Sequence, residues 1–124
     1  MGITFIYIAS VIIFVWGVAH IIPTKNVVRG FGQLSNDNRR IIIMEWVGEG
    51  LALCFIGLLA TLVTLLGGTE NPVSKMVLWA CALMSLIMGG WTLLIGFKTS
   101  IIPIKICPLV LTIVAILFFV GSVI

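Results

Sequence analysis

The chain has 124 residues, 61% of them hydrophobic and only 9% charged, against about 25% charged in a soluble globular domain. No soluble interior of this size hides so much apolar side chain, which excludes a soluble enzyme or binding domain and makes lipid the expected solvent. The formal charge of +3 is carried at the ends of apolar stretches, where topology and anionic headgroups account for it, and gives no reason to expect a nucleic-acid partner.

A membrane-crossing helix needs roughly 20 apolar residues, and four such spans with short loops use up the chain. The expected fold is therefore all-α, an integral membrane four-helix bundle forming a single domain over residues 1–124. The first span is predicted over 3–22. Pro23 stops it, and Lys25 marks the interface. Met1 to Phe5 carries no basic residue, so this stretch reads as a retained helix rather than a cleaved signal. The segment from Pro23 to Asn38 is the longest loop. Val27, Val28, Phe31 and Leu34 recur in it at helical spacing, beside Lys25 and Arg29. Two readings are open here: a short amphipathic helix in the interface, or an irregular loop with a few apolar anchors, which Gly30 and Gly32 favour.

The second span is predicted over 40–66, with cap candidates in Ser35, Asn36, Asp37 and Asn38 before it and Gly67-Gly68 after it. The third runs over 73–97, with Asn71 as a cap and Pro72 in its first turn. The fourth runs over 103–123, and Pro108 either kinks it or marks its true start. The loops after the first and third spans hold Lys25, Arg29, Arg39, Arg40, Lys98 and Lys105, while the opposite side holds only Lys75. This bias predicts a multi-pass cell-membrane protein with loops 1 and 3 cytoplasmic and both termini outside. It also argues against dual topology. A short similarity links the two basic junctions: His20-Ile-Ile-Pro-Thr-Lys25 and Ser100-Ile-Ile-Pro-Ile-Lys105. It is explained by proline at a helix boundary and a snorkelling lysine beside it.

Ionisable residues within a membrane span are the default pointer to function. Glu45 and Glu49 share a face of the second span, roughly 6 and 12 Å below a hydrocarbon boundary placed at Ile41. His20 and Trp16 on the first span, and Trp91 on the third, come to similar depths, and Trp46 adjoins Glu45. The expected site is a cavity lined by His20, Glu45, Glu49, Trp46 and Trp91, in the cytoplasmic half of the bundle. Two carboxylates a turn apart in a poor dielectric suit a proton donor, a cation site or a ligand anchor. The competing expectation is a polar clasp. In it Glu45 or Glu49 bonds His20, or Arg39 and Arg40 fold back onto Glu45, and the network fixes helix packing. Glu49 is the stronger ligand candidate, because it is deeper and harder for a surface arginine to reach.

Gly48, Gly50, Gly57, Gly89 and Gly90 are expected to permit close helix approach. Trp79, near the outer end of the third span, reads as an interfacial belt residue. Cys54, Cys81 and Cys107 form no C-x-x-C and read as small core residues rather than exchangeable thiols. One histidine and two glutamates match no recognised metal-ligand spacing. No phosphate loop, nucleophile elbow or haem-binding histidine pair is present, and no cofactor is expected.

The stretch Glu45-Trp-Val-Gly-Glu-Gly-Leu-Ala-Leu-Cys-Phe-Ile-Gly57 has its acids near the start of the second span, followed by glycines. With the short four-helix plan and the loop after the first helix, it resembles DoxX-like four-helix membrane proteins. That resemblance implies the fold and an association with redox complexes, without an activity. His20 and the Pro-Thr-Lys junction depart from the pattern.

Three functions compete. The first is a protein that binds, or acts on, a small apolar or amphipathic molecule such as a quinone, isoprenoid or sterol-like lipid; whether it is an enzyme stays open. The second is a non-catalytic subunit of a larger membrane complex. The third is a small proton-coupled transporter, for which the charge bias is unfavourable. Membrane lipid is a partner in all three, and association with a second copy is compatible with each.

Overall fold

The computed structural model describes residues 1–124. It contains five helices: α1 (Gly2–Ile21), α2 (Thr24–Gly30), α3 (Asn36–Gly67), α4 (Pro72–Gly96) and α5 (Ile102–Val123). α1, α3, α4 and α5 are each long and apolar enough to cross a membrane. The fold is all-α, a four-helix bundle of membrane type with short connections.

Local chemistry sets the boundaries. α1 is apolar all round and stops at Pro23, where the Thr24 hydroxyl donates to the Ile21 carbonyl. Of the four polar residues before α3, Ser35 takes the cap, its hydroxyl accepting the Asn38 N–H at 3.1 Å. α3 therefore begins at Asn36, one turn before the predicted start at Arg40. It ends at Gly67, with Gly68 at φ 68° turning the chain. Asn71 caps α4 by accepting the Val73 N–H at 2.8 Å, and Pro72 fills the first turn. α5 begins at Ile102 and runs on through Pro108. Pro108 is thus an interior proline, not the start of the helix, and the Ile104 carbonyl lacks its usual helical donor.

The segment after α1 takes the helical form over Thr24–Gly30. Val28 is buried, whereas Lys25, Arg29 and Phe31 are exposed, and α2 packs on α3. Gly32, at φ 75°, sits just beyond its end. The apolar side of this helix is therefore partly claimed by the bundle itself.

Around the bundle, α1 packs between α3 and α5, and α5 between α1 and α4. α3 and α4 touch sparsely although a short hairpin joins them. Two of their contacts lie at that hairpin: the Ser74 hydroxyl donates to the Val63 carbonyl at 3.1 Å, and Gly67 abuts Ser74. The core is one apolar cluster that includes Ile6 and Ile13 of α1, Leu53 of α3, Leu78 of α4, and Leu111 and Phe118 of α5, all fully buried. Most hydroxyls of the membrane spans donate to a carbonyl one turn back, as Thr64 does to Ala60 at 2.7 Å and Ser85 to Cys81 at 2.8 Å. Trp79 is half exposed, and its indole N–H reaches Ser122 of α5 at 2.8 Å.

Close backbone approach governs the α1–α3 seam. A side-chain carbon added at Gly17 would stand 2.7 Å from the Gly50 carbonyl oxygen and 2.9 Å from the Cys54 nitrogen. One added at Gly57 would stand 2.6 Å from the Ser10 carbonyl oxygen. Gly89 lies close to Leu111 of α5, while Gly48 and Gly90 face open space and do not serve as packing positions within this chain. Gly17→Ala is expected to destabilise the protein by about 1–3 kcal/mol through overpacking. Gly48→Ala and Gly90→Ala are expected to be neutral or slightly stabilising. Thermal unfolding of the three variants in detergent checks the contrast.

Candidate functional site

His20 lies in the last turn of α1, and the α1–α3 seam brings it beside the first half of α3. Its ring stacks on Trp46, with centroids 4.0 Å apart and planes 15° apart. The Trp46 indole N–H donates to the His20 backbone carbonyl at 2.6 Å. That carbonyl lies at a helix end, where backbone acceptors lack helical partners. Trp46 therefore both caps α1 and clamps the imidazole.

The other side of the imidazole meets Glu49. His20 Nε2 lies 3.5 Å from Glu49 Oε2, an ion-pair separation without hydrogen-bond geometry. Nε2 is buried and has no hydrogen-bond partner. The Glu49 side chain is 38% exposed, so one face of the carboxylate remains open.

Glu49 lines a cavity of about 580 Å³. His20, Trp46 and Glu49 form one side of it, and Trp91, Thr92 and Ile95 of α4 the other. Trp16 and Cys107 also line it, joined by a Trp16 N–H to Cys107 Sγ contact of 3.4 Å that ties α1 to α5. Pro23 and Pro103 both contribute, so the two similar Ile-Ile-Pro junctions converge on this end of the cavity. Trp91 is 66% exposed and presents much of its ring outward.

Of the expected site residues, His20, Trp46, Glu49 and Trp91 thus line one cavity. Glu45 does not. It is exposed, in a groove on the outside of α3 that it shares with Ile41, Met44, Trp46 and Glu49. Helical geometry gives the reason. Taking Gly50 as the direction of α1, a rotation of 100° per residue turns Trp46 away by about 40°, Glu49 by about 100° and Glu45 by about 140°. The acid–base side-chain contacts of the chain are His20–Glu49 and the peripheral Glu70–Lys75 at 4.0 Å; Arg39 and Arg40 do not fold back onto Glu45. The clasp and the cavity share two residues, since Glu49 approaches His20 and lines the space between α3 and α4.

Sequence reasoning did not reach the α5 wall, formed by Ile104, Ile106 and Cys107. Their side chains carry no distinctive chemistry, and the repeated proline junction is the one signal that pointed there. Cys81 and Cys107 are buried, Cys54 is partly buried, and all three are free thiols. No three His, Cys, Asp or Glu side chains converge as metal ligands would.

No family model, curated protein or solved structure matches this chain. Fold and composition define its class: a small membrane protein of four apolar helices, with one polar pair at a mostly apolar cavity.

Trp46→Phe is expected to keep the stacked ring but lose the N–H to the His20 carbonyl, lowering stability by about 1 kcal/mol. Trp46→Ala should cost more, because stacking and burial go as well. Denaturation in mild detergent, followed by far-UV circular dichroism, orders the two.

Proposed function

We propose that the cavity binds a small apolar or amphipathic molecule taken from the membrane, of the quinone, isoprenoid or sterol-like class. The observation that carries this reading is the contrast between the walls and the centre. A space of about 580 Å³, within the roughly 300–1,000 Å³ typical of ligand pockets, has mostly apolar walls and one carboxylate beside a buried imidazole nitrogen with no partner. Of this pair the Glu49 carboxylate is the group with open surface, and a ligand donor that bonds it offsets the cost of holding a carboxylate among apolar walls. In this reading Glu49 anchors the ligand, His20 is the proton partner of Glu49, and Trp46 and Trp91 are the walls. Mass spectrometry of lipid extracted from purified protein tests it. A molecule of this class should be present in native protein and fall below about a tenth of that level in Glu49→Gln, with helix content unchanged. An extract free of such a molecule, together with a membrane protein copurifying in fixed proportion, would replace this reading with that of a complex subunit, as the DoxX-like resemblance implies.

The cavity lies at the end of the bundle that carries Lys25, Arg29, Lys98 and Lys105, and we place that end in the cytoplasm on the charge bias. A C-terminal alkaline phosphatase fusion should then be active, and a C-terminal green fluorescent protein fusion should be dark. The opposite pair of results reverses the orientation.

A further inference from the structure

Three basic side chains surround a second hollow at the basic end of the molecule. Lys25 and Arg29 stand one turn apart on the same face of α2. Val28 between them is buried, and α2 packs on α3. That packing brings Arg39, in the first turns of α3, to the same place. All three cations line a hollow of about 680 Å³. Gln33 adds a neutral donor, and Val28 and Ile43 supply apolar lining. The hollow shares no residue with the Glu49 cavity.

No carboxylate balances this charge. None of the residues lining the hollow is acidic. The acid–base contacts of the chain are His20–Glu49 and Glu70–Lys75, so Lys25, Arg29 and Arg39 have none. Asp37, the acid nearest Arg39 in sequence, is two residues away and so about 200° round the helix. Topology needs positive charge somewhere in the loop. It does not need three cations gathered from two helices round one hollow, where they repel one another. An anion seated among them relieves that repulsion, and guanidinium groups match phosphate oxygens in geometry as well as charge.

Depth decides which phosphate. For a hydrocarbon boundary anywhere from Ile41 to Glu45, Arg39 stands in the headgroup layer and Ile43 within about 3 Å of the boundary. A phospholipid already holds its phosphate at that level. Ile43 is 38% exposed and offers acyl chains an apolar surface just below.

We propose that the hollow between α2 and α3 is a binding site for one anionic phospholipid. Its phosphate lies among Lys25, Arg29 and Arg39, and its acyl chains enter the hydrocarbon beside Ile43. The short helix α2 is then the clamp that completes the site.

Native mass spectrometry of the full chain, purified in detergent with lipid added back, tests this. Dioleoylphosphatidylglycerol is the probe. Dioleoylphosphatidylcholine, with the same chains and phosphate but a quaternary ammonium, is the control. One phosphatidylglycerol should bind saturably, about tenfold more tightly than phosphatidylcholine. Arg29→Gln combined with Arg39→Gln should weaken it about tenfold or more. Lys98→Gln combined with Lys105→Gln removes the same charge from the same end and should weaken it by less than about twofold, since charges outside the site are screened. All four side chains are exposed, and circular dichroism should show unchanged helix content in both variants. Equal weakening by the two double variants overturns the site and leaves only a general attraction of basic loops to anionic lipid. Equal affinity for the two lipids overturns it as well. Displacement of the lipid by an equal concentration of inorganic phosphate overturns the lipid assignment and makes the hollow a site for free phosphate.

Discussion

The backbone contact between α1 and α3 is the constraint on which the rest depends. In lipid, helices gain little from burying apolar surface against each other, and close packing of small residues takes over. Gly17, Gly50 and Gly57 allow the two helices to meet with carbonyl oxygens where a side-chain carbon would otherwise sit. The Cys54 thiol adds a 3.6 Å contact to the Phe14 carbonyl across the same seam. Once the helices are this close, the end of α1 falls beside Trp46 and Glu49. The stacked His20 ring, the capped His20 carbonyl and the approach to Glu49 all follow from that placement.

The same packing leaves α4 on the far side of the bundle. It is held by α5 rather than by its hairpin partner α3. The core cluster seals the bundle at Leu53, Leu78 and Leu111, while the basic end stays hollow because α4 does not close on α3 there. The site is thus a by-product of unequal helix contacts, furnished with polar groups by two residues on the tighter pair of helices. Trp16, reaching Cys107, keeps α5 against α1 at this level.

The four spans were legible because apolar runs are bounded by Pro and Gly in a chain with very few charges. The start of α3 was not, because Ser35, Asn36, Asp37 and Asn38 can each cap a helix and only the packed chain selects one. The short helix α2 was undecided for a similar reason: seven residues ending in glycine have no intrinsic helical stability, and docking on α3 supplies it. The grouping of His20, Trp46, Glu49 and Trp91 could be anticipated from depth alone. Separating Glu45 from Glu49 required knowing that the Gly50 face meets α1, which is a tertiary fact. The apolar α5 wall carries no distinctive side chain, and only the repeated Ile-Ile-Pro junction points to it.

Glu45 has a further consequence for how the molecule floats. An unpaired carboxylate on the lipid side of a helix draws the water boundary to itself, because hydrocarbon there would be costly. α3 is far longer than a membrane is thick: its 32 residues rise roughly 48 Å, against about 30 Å of hydrocarbon. From Glu45 to Gly67, however, the rise is roughly 33 Å. With the boundary drawn there, one turn deeper than at Ile41, Glu45 becomes a waterline mark. It leaves the first turns of α3 standing in the headgroups and sets Glu49 a single turn below the surface. A molecule lodged at Glu49 would hold its polar end at the depth where membrane lipids already carry theirs, and would hardly need to change its immersion to move from bilayer to protein.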